Sequence, residues 1–274
     1  MNRTVYSNIL ILLTTLLLLF PTWAAISMLA PNLDVSERIK LANSNLVKAH
    51  KSGFLKVNSD LSDMPPPQVK DATQRKRIFI AALLPLILQE NRRVKEQRAL
   101  ASSLPEDGDA YKKLALDYSL DAGVSRDQLL NHVDIVPVSL ILAQSALESG
   151  WGRSRFARDG NAFFGERTFD MDDLGMIPKK VDPQAQSFKV KEFSRAILSV
   201  RSYIKTLNTN NAYEDLRNRR VELRSKNVEP TGLELVPMLS GYSETGSLYV
   251  KRITATIHAS RLDTYDSIKL ELSR

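Results

Sequence analysis

The chain has 274 residues, 43% apolar and 25% charged, enough for one sizeable core with a small appendage and unlike either a disordered chain or a multispanning membrane protein. A net charge of +7 and a pI near 9.5 describe a surface that accumulates anions: nucleic acid, anionic lipid or an acidic wall polymer. With no cysteine and only His50, His132 and His258, the sequence excludes disulfides, thiolate metal sites and cysteine nucleophiles and leaves few ligands for a histidine-rich metal site. Catalysis then falls to carboxylates, and no cofactor is implied.

Met1–Ala30 opens with a short polar start carrying Arg3, followed by ILILLTTLLLLF from Ile9 to Phe20 and then PTWAAISMLA. This is a signal-type segment. Thr22 and Ala24 suit a cleavage site, and the apolar stretch carried on to Ala30 alternatively reaches the ~20 residues of a membrane anchor. Either outcome exports the chain, into the periplasm or tethered at the inner membrane, and counts against nucleic acid as its partner. Residues 31–74 read as a polar linker, mostly a tether around Pro65–Pro67, with part of Val35–Val57 helical.

Residues 75–270 form the expected main domain. RKRIFIAALLPLILQENRRVKEQR spaces Phe79, Leu83, Leu86 and Val94 helically, with Pro85 expected to kink or divide the helix. Tyr111, Leu114, Ala115 and Tyr118 make a second stripe. A third helix is expected from a cap at Asp134 to Ser149, stopped by Gly150 and Gly152. Ser194 is positioned to cap a helix that buries Ile197, Val200, Tyr203, Ile204 and Leu207, while Thr231 and Glu234 have capping-box spacing. A last helix carries Tyr249, Ile253 and Ile257. Between these helices, residues 161–191 are rich in Gly, Asp and Pro and contain QSFKVKEF, one arm of a hairpin. The prediction is a mainly α domain with a small irregular or β lobe.

The chemistry concentrates in Leu140–Gly165, LILAQSALESGWGRSRFARDGNAFFG. Its helix buries Leu140, Ala143 and Leu147 and sets Glu148 beside that stripe in the last turn. There the negative end of the helix dipole and apolar neighbours such as Trp151 both disfavour the ionised carboxylate. A carboxyl group held protonated near neutral pH is what glycosidic cleavage asks of its general acid.

ALESGWG followed by GNAFFG resembles the signature of the glucosaminidase domains of glycoside hydrolase family seventy-three. Most of Lys76–Leu262, including KRIFIAALLPLILQENRRV, AILSVRSYIKTLNTNNAYEDLR and GYSETGSLYVKRITATI, is similar to the Bax protein family. The resemblance implies a lysozyme-like α fold with a cleft beside a small β lobe, and hydrolysis of peptidoglycan glycan strands after N-acetylglucosamine. It implies Glu148 as general acid and Ser149, Gly150 and Trp151 as the turn shaping its pocket. Asn161 and Phe164 match the N-x-F-G element, with Phe163 where the family usually has Leu. Tyr242 resembles the tyrosine lining the cleft near the acid. The chain departs from the family in having no clean second carboxylate. The candidates are Glu166, Asp170, Asp172, Asp173, Asp182 and Glu192. Without one, lytic transglycosylation by Glu148 alone and a non-catalytic wall-binding scaffold are the alternatives.

Overall fold

The computed structural model describes residues 34–56, 64–179, 187–240 and 246–271. The leader therefore lies outside the described residues, as do Tyr242 and Asp182. The chain divides into two compact units, Met1–Asp34 and Val35–Arg274, and the second carries the fold. No described helix is long and apolar enough to cross a membrane.

The helix expected within Val35–Val57 is present as α1 (Val35–Ser52), and it is docked rather than part of a tether, burying Ala42, Leu46 and Ala49 against α2 (Ala72–Ser103). After it, β1 (Phe54–Leu55) pairs in parallel with β5 (Lys269–Leu270), so the two ends of the described fold are tied by backbone hydrogen bonds. Helix α2 is started by Asp71, whose carboxylate accepts from the Gln74 N–H at 2.7 Å. It runs unbroken through Pro85, contrary to the expected division. Ile78–Pro85 is buried on all sides, and the surrounding packing outweighs the one hydrogen bond a proline removes.

Of the helices that follow, α3 (Asp109–Asp117), α4 (Arg126–His132), α5 (Val138–Ser149) and α7 (Ala196–Thr209) pack on α2, α6 (Arg155–Gly160) meets the small lobe, α8 (Glu214–Ser225) packs on α4 and α7, and the short α9 (Gly232–Leu235) and α10 (Gly246–Ser260) pack on α5. The Thr231–Glu234 capping box is present at α9. Two expected caps are not. Helix α7 starts at Ala196 with Arg195 at the cap position and no side-chain cap, so Ser194 does not play that part. Helix α5 starts at Val138, and Asp134 lies four residues upstream of it with a different task.

That task is charge pairing. The Asp134 carboxylate, 3% exposed, takes a two-pronged contact from Arg224, Nε to Oδ2 at 2.5 Å and Nη2 to Oδ1 at 2.9 Å, with Arg98 3.9 Å away. Beneath it the wholly buried Arg220 donates to the carbonyls of Asn131, Asp134 and Ile135 and to Asn208 Oδ1. Burial pulls the Arg220 guanidinium down to about 10, with Asp134 opposing. These contacts fasten α8 and α7 to the loop that leads into α5. A second buried carboxylate, Glu90 of α2, holds Arg93 of its own helix and Arg201 of α7.

The small lobe follows α6. β2 (Arg167–Thr168), β3 (Gly175–Met176) and β4 (Lys189–Lys191) form an antiparallel sheet in the order β2-β4-β3, so the QSFKVKEF stretch supplies the central strand. The lobe's tip carries exposed Phe169, Met171, Leu174 and Ile177.

Replacing Asp134 by Ala leaves the buried Arg220 charge without its nearby carboxylate and Arg224 with only the exposed Glu229. The expected loss is about 3–5 kcal/mol of unfolding free energy, measured by chemical denaturation.

Candidate active site

Helix α5 is buried along almost its whole length, from Val138 to Ala146, because it threads the centre of the domain. Its polar ends need partners supplied from elsewhere. At the start, Asp266 accepts from the Ser139 N–H and hydroxyl, both at 2.7 Å, and from the Gly232 N–H at 3.2 Å. At the end, Gly150 adopts the left-handed conformation at φ 60°, and Trp151 and Gly152 follow it at φ 59° and 76°. Ser149, buried, holds this turn: its hydroxyl donates to the Ser145 carbonyl at 2.6 Å and accepts from the Gly152 N–H at 2.9 Å.

The turn lifts Glu148 out of the core. Its carboxylate meets water on one side, while Tyr249, Gly165 and the helix end close around the rest. Oε1 accepts from the Tyr249 hydroxyl at 3.2 Å. Oε2 faces Gly165, where an added Cβ would make ordinary contact with it at 3.9 Å. Behind Tyr249, Gln144 Nε2 donates to the Tyr249 oxygen at 3.0 Å, and the Tyr203 hydroxyl donates to Gln144 Oε1. Phe164 stacks on Tyr203 with centroids 3.9 Å apart. Partial burial raises the pKa of Glu148; the hydrogen bond from Tyr249 and the charge of Arg252 work against that rise without reversing it.

The structure thus gathers some of the residues singled out in the sequence and sets others behind the site. Trp151 is half-buried beside the acid, edge-on to Phe79 at 5.6 Å, with Lys76 Nζ 4.9 Å from its ring centroid. Ser149 and Phe164 are buried supports under the site. Asn161, left-handed at φ 51°, ends α6 and donates to the Phe193 carbonyl at 2.8 Å, which ties the lobe to the helical body.

Tyr249 is the residue that sequence reasoning missed. Its four-residue spacing with Ile253 and Ile257 marked it as core, and its ring is indeed buried, but its hydroxyl reaches the acid. The available signal was a hydroxyl on an otherwise apolar stripe, since a buried tyrosine oxygen needs a polar partner.

Of the second-carboxylate candidates, Asp170, Asp172, Asp173 and Glu192 are exposed on the lobe. Glu166 differs. It follows Gly165 directly, its Oε2 accepts from the Ser202 hydroxyl at 2.7 Å, and its buried Oε1 has no hydrogen-bond partner. Burial raises its pKa, opposed by Ser202 and the charge of Lys191. Among the described residues, no group of three or more His, Cys, Asp or Glu side chains is placed to hold a metal ion.

Comparison with known proteins gives three findings. The family model described as glucosaminidase, mannosyl-glycoprotein endo-beta-N-acetylglucosaminidase, matches residues 125–262. Protein bax of Escherichia coli (strain K12) is 32% identical over 189 residues, which span 65% of this chain and 66% of that protein's length, just under two thirds of it. The catalytic domain of the autolysin Auto from Listeria monocytogenes is 17% identical, with a TM-score of 0.36 over 66% of this chain and 88% of that one.

A carboxyl group whose pKa is raised by folding weakens the fold as it ionises. Stability should therefore fall as pH rises from the unfolded-state value of 4.5 through the higher folded-state value. Glu148→Gln removes that loss. The variant should melt above the parent at neutral pH, with the gain gone below about pH 4, as read by thermal melts across pH.

Proposed function

Because the chain belongs to the glucosaminidase family, we propose that it hydrolyses the glycan strands of peptidoglycan after N-acetylglucosamine, with Glu148 as the general acid. One observation carries this reading. A single carboxyl group with a raised pKa stands at the end of the central helix, open to water on one face and oriented on the other by a tyrosine hydroxyl. A raised pKa widens the pH range over which such a group keeps a proton, which in this mechanism it gives to the departing glycosidic oxygen as the bond to the anomeric carbon breaks. Tyr249 orients the carboxyl and stabilises the carboxylate left behind; Gln144 and Tyr203 orient Tyr249 in turn.

The second carboxylate of a hydrolytic mechanism is best matched by Glu166, which follows Gly165, the glycine that faces Glu148. Glu166 is partly buried and engaged by Ser202, which favours a second reading, in which Glu148 works alone as acid and then base in a lytic transglycosylation. The apolar run of the leader supports export, with the protein acting in the periplasm either released or anchored at the inner membrane.

Glu148→Gln should reduce digestion of purified sacculi by about a hundredfold or more while circular dichroism stays unchanged, since the amide keeps the shape but has no proton to give. Mass analysis of the soluble products separates the chemistries. Reducing N-acetylglucosamine ends support the proposal. Reducing N-acetylmuramic acid ends would exchange it for muramidase activity, and anhydro ends for transglycosylation. An undigested wall with tight binding would leave a scaffold module.

Tyr249→Phe removes a hydrogen bond that favours ionised Glu148, so the pKa of the acid rises further. The alkaline limb of the pH–rate profile should move to higher pH and turnover at the optimum should fall, while stability drops by about 1–3 kcal/mol because the buried Gln144 Nε2 loses its acceptor. An unmoved alkaline limb would remove Tyr249 from the site.

A further inference from the structure

Away from the acid, the end of α1, the first turns of α2 and the segment after α10 enclose a cavity of about 430 Å³. Its charged lining is one-sided. Lys76, Arg77 and Arg261 all border it, with His50 beside them, and no carboxylate does. Among the described residues none of the three cations enters an ion pair. The nearby Asp71 is already engaged as the cap of α2. Three like charges brought together without a counter-ion repel one another, and the positive end of the α2 dipole adds to the field they make. The cavity is also pre-arranged. Arg77 is held by Asn43 Oδ1 at 2.7 Å, Lys76 by Ser260 Oγ at 3.3 Å, and the His50 ring by the Leu46 carbonyl and Thr264 Oγ1, both at 2.9 Å. The Tyr265 ring packs edge-on against His50 and forms part of the wall.

Position says which anion. Lys76 borders the cavity and also lies over the Trp151 ring, in the turn that follows Glu148. Along α10, the eleven steps from Tyr249, at Glu148, to Ser260, at the cavity, rise about 16 Å. A peptide of about five extended residues covers that length. We propose that this cavity binds a carboxylate, the terminal carboxylate of a short peptide borne by the wall glycan whose backbone lies at Glu148. The site gives the enzyme a preference for strands that still carry their peptides. This inference rests on the reading of the chain as a peptidoglycan hydrolase.

Two measurements on the full chain test it separately from that reading. In the first, calorimetric titration of the Glu148→Gln protein uses a short peptide with a free C-terminal carboxylate, the same peptide amidated, and inorganic phosphate. The expected result is binding of the free peptide, at least about tenfold weaker binding of the amide, and loss of the preference in the double variant Arg77→Gln/Arg261→Gln. Equal binding of both peptides, binding of phosphate alone, or no binding at all would overturn the proposal. In the second, the active enzyme digests glycan strands with and without their peptides. The double variant should raise KM about tenfold on peptide-bearing strands only, with kcat and bare-strand digestion unchanged. Equal KM for the two substrates in the parent would sink the site while leaving the hydrolase reading intact. Binding of the free peptide without digestion of either strand would sink the hydrolase reading instead.

Discussion

A helix buried over nearly its whole length cannot leave its terminal N–H and C=O groups to water, and this constraint on α5 organises the domain. Its start is answered from over a hundred residues away by Asp266, and its end by a left-handed turn through Gly150 that Ser149 stitches shut. The cap demands close approach. Gly232 lies so near Ser139 that a Cβ there would sit 2.1 Å from its hydroxyl oxygen, so no other residue fits where α9 crosses the start of α5. Together the two ends fix the axis and length of the helix, and so where its last carboxylate emerges.

That carboxylate is held at some energetic cost to the fold. Burial disfavours its charge, and the opposing contacts from Tyr249 and Arg252 leave the pKa raised. The polar chain Tyr203–Gln144–Tyr249–Glu148 crosses an otherwise apolar interior, and its interior members are bonded to one another, which is the condition under which buried polar groups are tolerated. Phe164, stacked on Tyr203, connects the N-x-F-G element to the far end of the same chain. Fold and chemistry therefore share residues: the aromatic side chains that fill the core also aim the acid.

Two buried carboxylates on other elements frame this centre. Asp134 gathers Arg98 and Arg224 while Arg220 lies beneath it, and Glu90 gathers Arg93 and Arg201. Such pairs add little net stability over well-packed apolar residues, but they tolerate few alternative arrangements, because displacement leaves a charge unpaired in the interior. Through them α7 and α8 hold a defined position on α2 and on the loop before α5, and α7 in turn presents Tyr203 to the site and Ser202 to Glu166.

The sequence by itself determined the helical class, the stripes of α2, α3, α5, α7 and α10, the turn at Gly150 and the place of the Glu148 carboxylate at the end of α5. Each rests on local rules: helical periodicity, glycine's freedom at positive φ, and a carboxylate adjoining an apolar face in a last turn. Only the tertiary structure decided the partners. Asp134 has the composition of a helix cap and became a charge anchor, because Arg220 and Arg224 arrive from nearly ninety residues on. The helix expected after the leader is docked rather than part of a tether, because Ala42, Leu46 and Ala49 pack against α2. Tyr249 read as core and its hydroxyl reaches the Glu148 carboxylate, and Lys76, Arg77 and Arg261, far apart in the chain, share one cavity. Helical spacing tells which face a side chain occupies, but which groups meet across that face depends on how distant helices pack, and a local pattern carries no information about that.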